Sequence, residues 1–267
     1  MFVNGVRLVP YGSFSPYENM AADEYLTEYY AVSGIPVLRL YSWSPPGISI
    51  GKNQDIKTIN TERCIKDGIP VVRRMTGGGA IFHKKELTYS IVCSEKDLSD
   101  KRLTVKESFE ILNGFLLKMY GKFGLKAQYA KDAGIRGNAG ARAPHCFSGN
   151  EEYDIIIKGK KTGGNAQCRK KGIIFQHGSI PAAGFPEQQK YFKSGLTDAN
   201  FTFLEDLLGR EAPPVEIEAD LAAAFMETFD TDLKPQEFDM NEKKKIVKLL
   251  TVKYAANRWN IEGKTGN

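Results

Sequence analysis

The run Arg73-Arg74-Met75-Thr76-Gly77-Gly78-Gly79-Ala80-Ile81-Phe82-His83 places two guanidiniums directly before a hydroxyl and three glycines, and closes on an imidazole. Arginine offers a planar fork of donors to carboxylate or phosphate, while glycine lets backbone amides approach a ligand closely or take φ > 0. The stretch suits an anion or an acyl ligand; the glycine triplet taken alone would read first as a hairpin turn with two exposed arginines, and it is the context that favours a ligand. Its spacing fits neither the GxxxxGK[ST] phosphate loop nor the GxGxxG dinucleotide fingerprint, so nucleotide folds of those two kinds are not supported.

A second glycine-lysine element, Gly159-Lys160-Lys161-Thr162-Gly163-Gly164-Asn165-Ala166-Gln167, leads on to Gln176-His177-Gly178-Ser179. By itself it reads as an ordinary hairpin. A lysine among glycines can nevertheless polarise a carbonyl, because the missing side chains leave room for substrate. His83 and His177 could each line a pocket as neutral imidazoles, or be satisfied by a backbone carbonyl. The four cysteines, Cys64, Cys93, Cys146 and Cys168, form no CxxC pair and read as reduced thiols. Cys146 falls in 132–150, rich in Gly, Ala, Arg and Pro without apolar period, which reads as a long functional loop.

These residues need a scaffold, and the patterning predicts one. A helix is expected from about Asn19 to Tyr30, before Gly34. Short β-branched or aromatic runs bounded by Gly or Pro predict strands at 36–43, 47–51, 71–74 and 86–92, and again at 153–157, 165–168 and 173–177. Thr104 and Glu107 form a capping box ahead of apolar residues at helical spacing, ending at Gly124. From Glu211 the character turns helical, with Leu221 to Phe229 and a second capping box at Asp239 and Glu242. Runs of strands broken by occasional long helices favour an α+β fold with a mixed, largely antiparallel sheet flanked by helices. The expected division is a catalytic domain over 1–210 and a small helical C-terminal extension over 211–267 packed on it.

The chain has 267 residues, of which 42% are hydrophobic, enough for a full core without staples. No apolar run approaches the length of a membrane helix and no leader precedes the first strand, so a soluble, cytoplasmic protein is expected, with no membrane partner. A net charge of +5 with scattered small basic clusters is too mild for a strongly basic nucleic-acid binder, and nucleic acid is not an expected partner. No internal repeat is present, which excludes solenoids and propellers.

The two elements together resemble the catalytic domain shared by lipoate protein ligases, biotin protein ligases and octanoyltransferases, over nearly the whole chain. The first matches the family's RRxTGGGxxxH motif. The second matches GxKxxGxAQ, with Lys161 on the motif lysine. Cys146-Phe147, Gln176-His177-Gly178-Ser179 and the ending from Lys253-Tyr254 to Trp259-Asn260 are most similar to the single-domain octanoyltransferases of the Gram-positive type.

The resemblance implies a class II biotinyl/lipoyl protein ligase-like fold. It implies that Cys146 takes octanoate from acyl carrier protein as a thioester, which the lysine of a lipoyl domain, such as glycine cleavage H protein or a 2-oxoacid dehydrogenase E2, then attacks. Lys161 would favour the Cys146 thiolate and stabilise the oxyanion. Arg73, Arg74, Thr76, Gly77, Gly78, Gly79, His83, Gly164, Asn165, Ala166, His177 and Gly178 would bind substrate. This route needs no cofactor. The alternative within the family is a lipoate ligase that uses ATP and Mg to form an acyl adenylate. Gly79 leans that way, since octanoyltransferases commonly carry arginine there, and Lys84 stands where an aspartate is frequent. Transfer between two carrier domains, and a non-catalytic binding or regulatory module, are further alternatives.

Overall fold

The alternating residues of 86–94 are buried on both sides of their strand, so each face must be covered by a separate layer. The computed structural model, which describes residues 1–2, 5–135, 151–193 and 200–264, shows how. Strands β1 (Val6–Phe14) and β2 (Val37–Trp43) flank helix α1 (Pro16–Ser33) in sequence, followed by β3 (Gly47–Ile50), α2 (Thr61–Lys66), β4 (Val71–Arg73), β5 (Ile81–His83) and β6 (Glu86–Ser94). Next come α3 (Glu95–Leu98), α4 (Val105–Lys122), β7 (Ala127–Tyr129), β8 (Ile155–Ile157), β9 (Lys160–Lys161), β10 (Gly164–Lys170) and β11 (Ile173–Pro181). The chain closes with α5 (Leu204–Leu208), α6 (Pro214–Phe229), β12 (Leu233–Pro235), α7 (Met240–Leu249), a π-helical turn Leu250–Tyr254 and α8 (Asn257–Asn260).

The main sheet has six strands in the order β10-β11-β6-β2-β1-β12. Its β10-β11, β11-β6 and β6-β2 pairs are antiparallel, while β2-β1 and β1-β12 are parallel. Two three-stranded sheets, β4-β3-β5 and β7-β8-β9, stand beside it. The expected α+β class with a mixed, mainly antiparallel sheet is what forms.

The faces of the main sheet differ in chemistry. Leu38, Leu40, Leu87, Tyr89, Ile91 and Ile180 pack against Leu112, Phe115, Leu116, Phe225 and Phe229 of α4 and α6 in one apolar core. The opposite face carries Arg39 and Tyr41 of β2, Glu86, Thr88 and Ser90 of β6, and His177 and Ser179 of β11, brought side by side by register. Such a buried polar face is expensive unless every group is hydrogen-bonded. Helix α1 meets much of that need, since Asp23 accepts from Arg39, Tyr41 and Ser90 and Asn19 accepts from Arg39.

The predicted helices are real. α4 begins at the Thr104–Glu107 capping box and α7 at the Asp239–Glu242 box, while α1 extends further in both directions than expected because the Ser15–Glu18 capping box starts it. The residues after 211 are helical, yet they also supply β12, the edge strand of the main sheet beside β1. Strands β1, β5, β7, β9 and β12 add to those predicted.

Candidate functional site

Where the polar face of the main sheet meets the β4-β3-β5 sheet, it leaves a partly open pocket lined by Trp43, Ser49, Arg74, Ile81, His83, Thr88, Gly164, Asn165, Ala166, His177, Gly178 and Ser179. Arg74 and His83 come from the first motif, Gly164, Asn165 and Ala166 from the second, and His177 and Gly178 from the strand that follows. Seven of the residues expected to bind substrate therefore share one pocket. The antiparallel β10-β11 register opposes Asn165 to Gly178, and glycine is required at 178 because a Cβ there would lie 2.0 Å from Asn165 Oδ1 and 2.6 Å from the Tyr89 ring.

The glycine loop of the first motif is organised by Arg74. Its Nη2 donates to the carbonyls of Gly77 (2.7 Å) and Gly79 (2.8 Å), its Nη1 to Ser49 O, and its Nε to Thr76 Oγ1. Gly78 adopts φ +90°, a conformation that side chains resist. Gly51 must also be a glycine, since a Cβ there would meet Gly78 O at 2.0 Å. Thr76, Gly77, Gly78 and Gly79 thus frame the pocket through Arg74 instead of lining it.

Arg73 departs from the expectation of substrate contact. It lies off the pocket, and its guanidinium donates to six carbonyls: Gly51, Lys52 and Gln54 on one side and Trp259, Asn260 and Ile261 on the other. Its backbone is clasped as well, with Asn260 Oδ1 accepting from Arg73 N and Trp259 Nε1 donating to Arg73 O. The geometry gives it a scaffolding task, fixing the end of β4 to the C-terminal segment.

Both pocket histidines are held between a carboxylate and a hydroxyl. His83 Nε2 lies 2.7 Å from Ser49 Oγ and Nδ1 lies 2.5 Å from Glu86 Oε1, with the ring stacked 3.7 Å from Trp43. Glu86 also accepts from Thr88 and Ser179. His177 Nε2 lies 2.7 Å from Thr76 Oγ1, and Nδ1 is 3.8 Å from Asp23 Oδ2. Burial pushes the His177 pKa down against the pull of Asp23. Burial also pushes Asp23 up, but the His177 hydrogen bond and the Arg39 charge outweigh it and hold the carboxyl below its ordinary value. Asp23, Ser49 and Glu86 escaped the motif reading, and Ser179, which ends the Gln176–Ser179 element, was not counted among the binding residues. The one signal available was the i, i+2, i+4 row of Glu86, Thr88 and Ser90 in a strand whose other face is apolar.

Lys161 sits on β9, buried, with Nζ 2.6 Å from Asp154 Oδ2. Asp154 lies four residues after the end of 136–150, a stretch that is outside the described residues and contains Cys146. Burial and the Asp154 charge push the neighbouring Glu151 carboxyl up. Of the described thiols, Cys64 and Cys93 are buried and Cys168 partly so. Burial pushes Cys64 and Cys168 up to about 11, and Cys93 well above the ordinary thiol range, so none of the three is poised as a thiolate. Lys84 lays its ammonium 3.6 Å over the Phe185 ring. Among the described residues no cluster of His, Cys, Asp or Glu is placed to hold a metal ion, and no helix is long and apolar enough to cross a membrane.

Known proteins resemble this chain in sequence and fold. The chain is 32% identical to octanoyltransferase LipM of Bacillus subtilis (strain 168), covering 96% of this chain and 98% of that one, and 34% identical to octanoyltransferase LipM of Kyrpidia tusciae, covering 95% and 97%. Its fold matches that of lipoate-protein ligase A bound with ATP at a TM-score of 0.82, with 22% identity over 97% of this chain and all of the other. A bi-partite lipoate protein ligase from Thermoplasma acidophilum superposes at 0.78, with 21% identity and 98% coverage of both chains. Residues 15–226 match the lipoyl protein ligase A/B catalytic domain, and this chain belongs to that family.

Proposed function

We propose that this protein is an acyltransferase that moves an octanoyl group from acyl carrier protein, through a thioester on Cys146, to the lysine of a lipoyl carrier domain. The observation that carries this reading is the convergence of Arg74, His83, Gly164, Asn165, Ala166, His177 and Gly178 on one pocket, in a chain whose relatives over nearly full length are octanoyltransferases. Trp43, Ile81 and the bare backbone of Gly164 and Gly178 offer an acyl chain an apolar wall, and the polar groups orient its carbonyl end.

Cys146 is the nucleophile that the resemblance implies, and burial, which pushes the three other thiols above the ordinary range, makes them poorer candidates. Its thiolate attacks the donor thioester carbon and the carrier thiol leaves. The lipoyl-domain amine then attacks the acyl-Cys146 carbon, the Cys146 thiolate leaves as the amide forms, and the proton shed by the amine nitrogen goes to that thiolate or to water. The Lys161 ammonium, held by Asp154, supplies positive charge for the thiolate and for each oxyanion. The reaction needs no cofactor, and its dependence on a reduced thiol suits a reducing compartment such as the cytoplasm. Glycine cleavage H protein and the E2 component of 2-oxoacid dehydrogenases are the acceptors to test.

The ATP-dependent ligase reading would ask the first motif to meet phosphates and Mg. The Arg73 guanidinium is committed to six backbone carbonyls, which argues against it as a phosphate fork. Intact-protein mass decides the matter. Octanoyl acyl carrier protein should leave an octanoyl adduct on Cys146 and then a modified apo lipoyl domain without ATP. Modification only when octanoate, ATP and Mg are supplied would replace this proposal with the ligase.

A further inference from the structure

The pocket holds a second nucleophile arrangement that the transfer through Cys146 does not use. Ser49 Oγ lies 2.7 Å from His83 Nε2, and His83 Nδ1 lies 2.5 Å from Glu86 Oε1. Hydroxyl, imidazole and carboxylate are in series, in the order that activates a serine in hydrolases on unrelated folds. β3 and β5 fix the first link, because Ser49 pairs with Ile81 and Gly47 with His83, setting Ser49 and His83 diagonally on the same face.

The carboxylate is anchored from both sides, Oε1 accepting from Thr88 and Oε2 from Ser179. Thr88 is itself fixed by Trp43 Nε1, and the Trp43 ring stacks on the imidazole. Arg74 Nη1 stands 3.3 Å from Ser49 Oγ, a cation that favours loss of the serine proton as Oγ becomes the nucleophile. Ser49 and His83 both line the pocket. A merely structural histidine would need one partner; here every member is oriented by a further hydrogen bond, as preorganised catalytic groups are.

We infer that Ser49, His83 and Glu86 form a catalytic triad that accepts an acyl group on Ser49 and hydrolyses acyl esters and thioesters entering the pocket. With Nδ1–H donated to Glu86, His83 Nε2 takes the Ser49 proton as Oγ attacks the carbonyl carbon. The tetrahedral intermediate collapses, and the leaving alcohol or thiol departs with that proton. Water then attacks the Ser49 ester, gives a proton to His83 Nε2, and Ser49 Oγ leaves and takes it back. The balance is thioester plus water to carboxylate, thiol and a proton. The choice of a medium-chain acyl group rests on the function proposed above; the triad rests on its own geometry.

The test uses the Cys146→Ala protein, so that the thiol cannot contribute. A fluorophosphonate should label it on the peptide containing Ser49, with no change made to the triad. The same protein should hydrolyse p-nitrophenyl octanoate, and adding Ser49→Ala should lower that rate by about 100-fold or more. Absence of label on Ser49, or hydrolysis indifferent to Ser49→Ala, would overturn the triad. Ser49-dependent hydrolysis of p-nitrophenyl acetate with none of the octanoate would support the triad and remove the medium-chain reading of the pocket instead.

Discussion

Arg74 touches the hydroxyls that end both carboxylate–histidine chains, Thr76 Oγ1 through Nε and Ser49 Oγ through Nη1, besides two carbonyls of the glycine loop. A lysine reaches one such position as a point charge and cannot span four. Arg74→Lys should therefore lower kcat/KM for octanoyl transfer by at least about tenfold, with a melting point that falls as buried carbonyls lose their donors; unchanged kinetics would show that the fork is dispensable. His177 carries a pH prediction. Its pKa is lowered in the folded protein by burial, so below its ordinary value of about 6.5 the unfolded chain binds more protons and stability falls as pH drops. Urea midpoints measured from about pH 7 down to about pH 5 should decline in the wild type and decline less in His177→Gln. Motif residues were legible at this scale because their types are grouped along the chain. Asp23, Ser49 and Glu86 were not, because each is a lone polar residue whose partners lie on other elements, and only folding makes the burial that reveals them.

Helix ends were legible to the residue where a capping box marks them, as at Thr104 and Asp239, since capping is a local exchange of hydrogen bonds among four residues. Strands that depend on a distant neighbour were not. β1 contains Pro10 and Gly12 and shifts register between Val9 and Gly12, while β12 ends at a proline; neither alternates cleanly, and each forms because a parallel partner is waiting. The segment of α8 acts on the site through Arg73, whose carbonyl partners include Trp259, Asn260 and Ile261. Ending the chain after Ala255 should lower transfer by more than tenfold while the far-UV spectrum holds, and hydrogen exchange should speed in 73–79. Full activity in that truncation would reduce the clasp to packing.

The whole molecule is tied by contacts between its first and last strands and helices. Arg7 of β1 donates to both carboxylate oxygens of Glu242 in α7 and to the carbonyls of Gln236 and Glu237, with Tyr25 donating to the same carboxylate. Removing one partner of such a buried pair strands the other, so Glu242→Ala should cost about 3–5 kcal/mol, read as a lower urea midpoint with the m-value unchanged. The α+β class was legible from the order of runs, whereas the parallel pairing of β1 with β2 and β12 was not, because register across the sheet is a long-range property. The clasp on Arg73 has a consequence for the order of synthesis. The carbonyl of Trp259 is made 186 residues after the guanidinium it receives, at a pace slow against the closing of local turns. A nascent chain can thus possess both motifs and most of the main sheet while Arg73 still lacks its three carbonyl partners at Trp259, Asn260 and Ile261, so the end of β4 is fastened only when the last turns of the fold arrive.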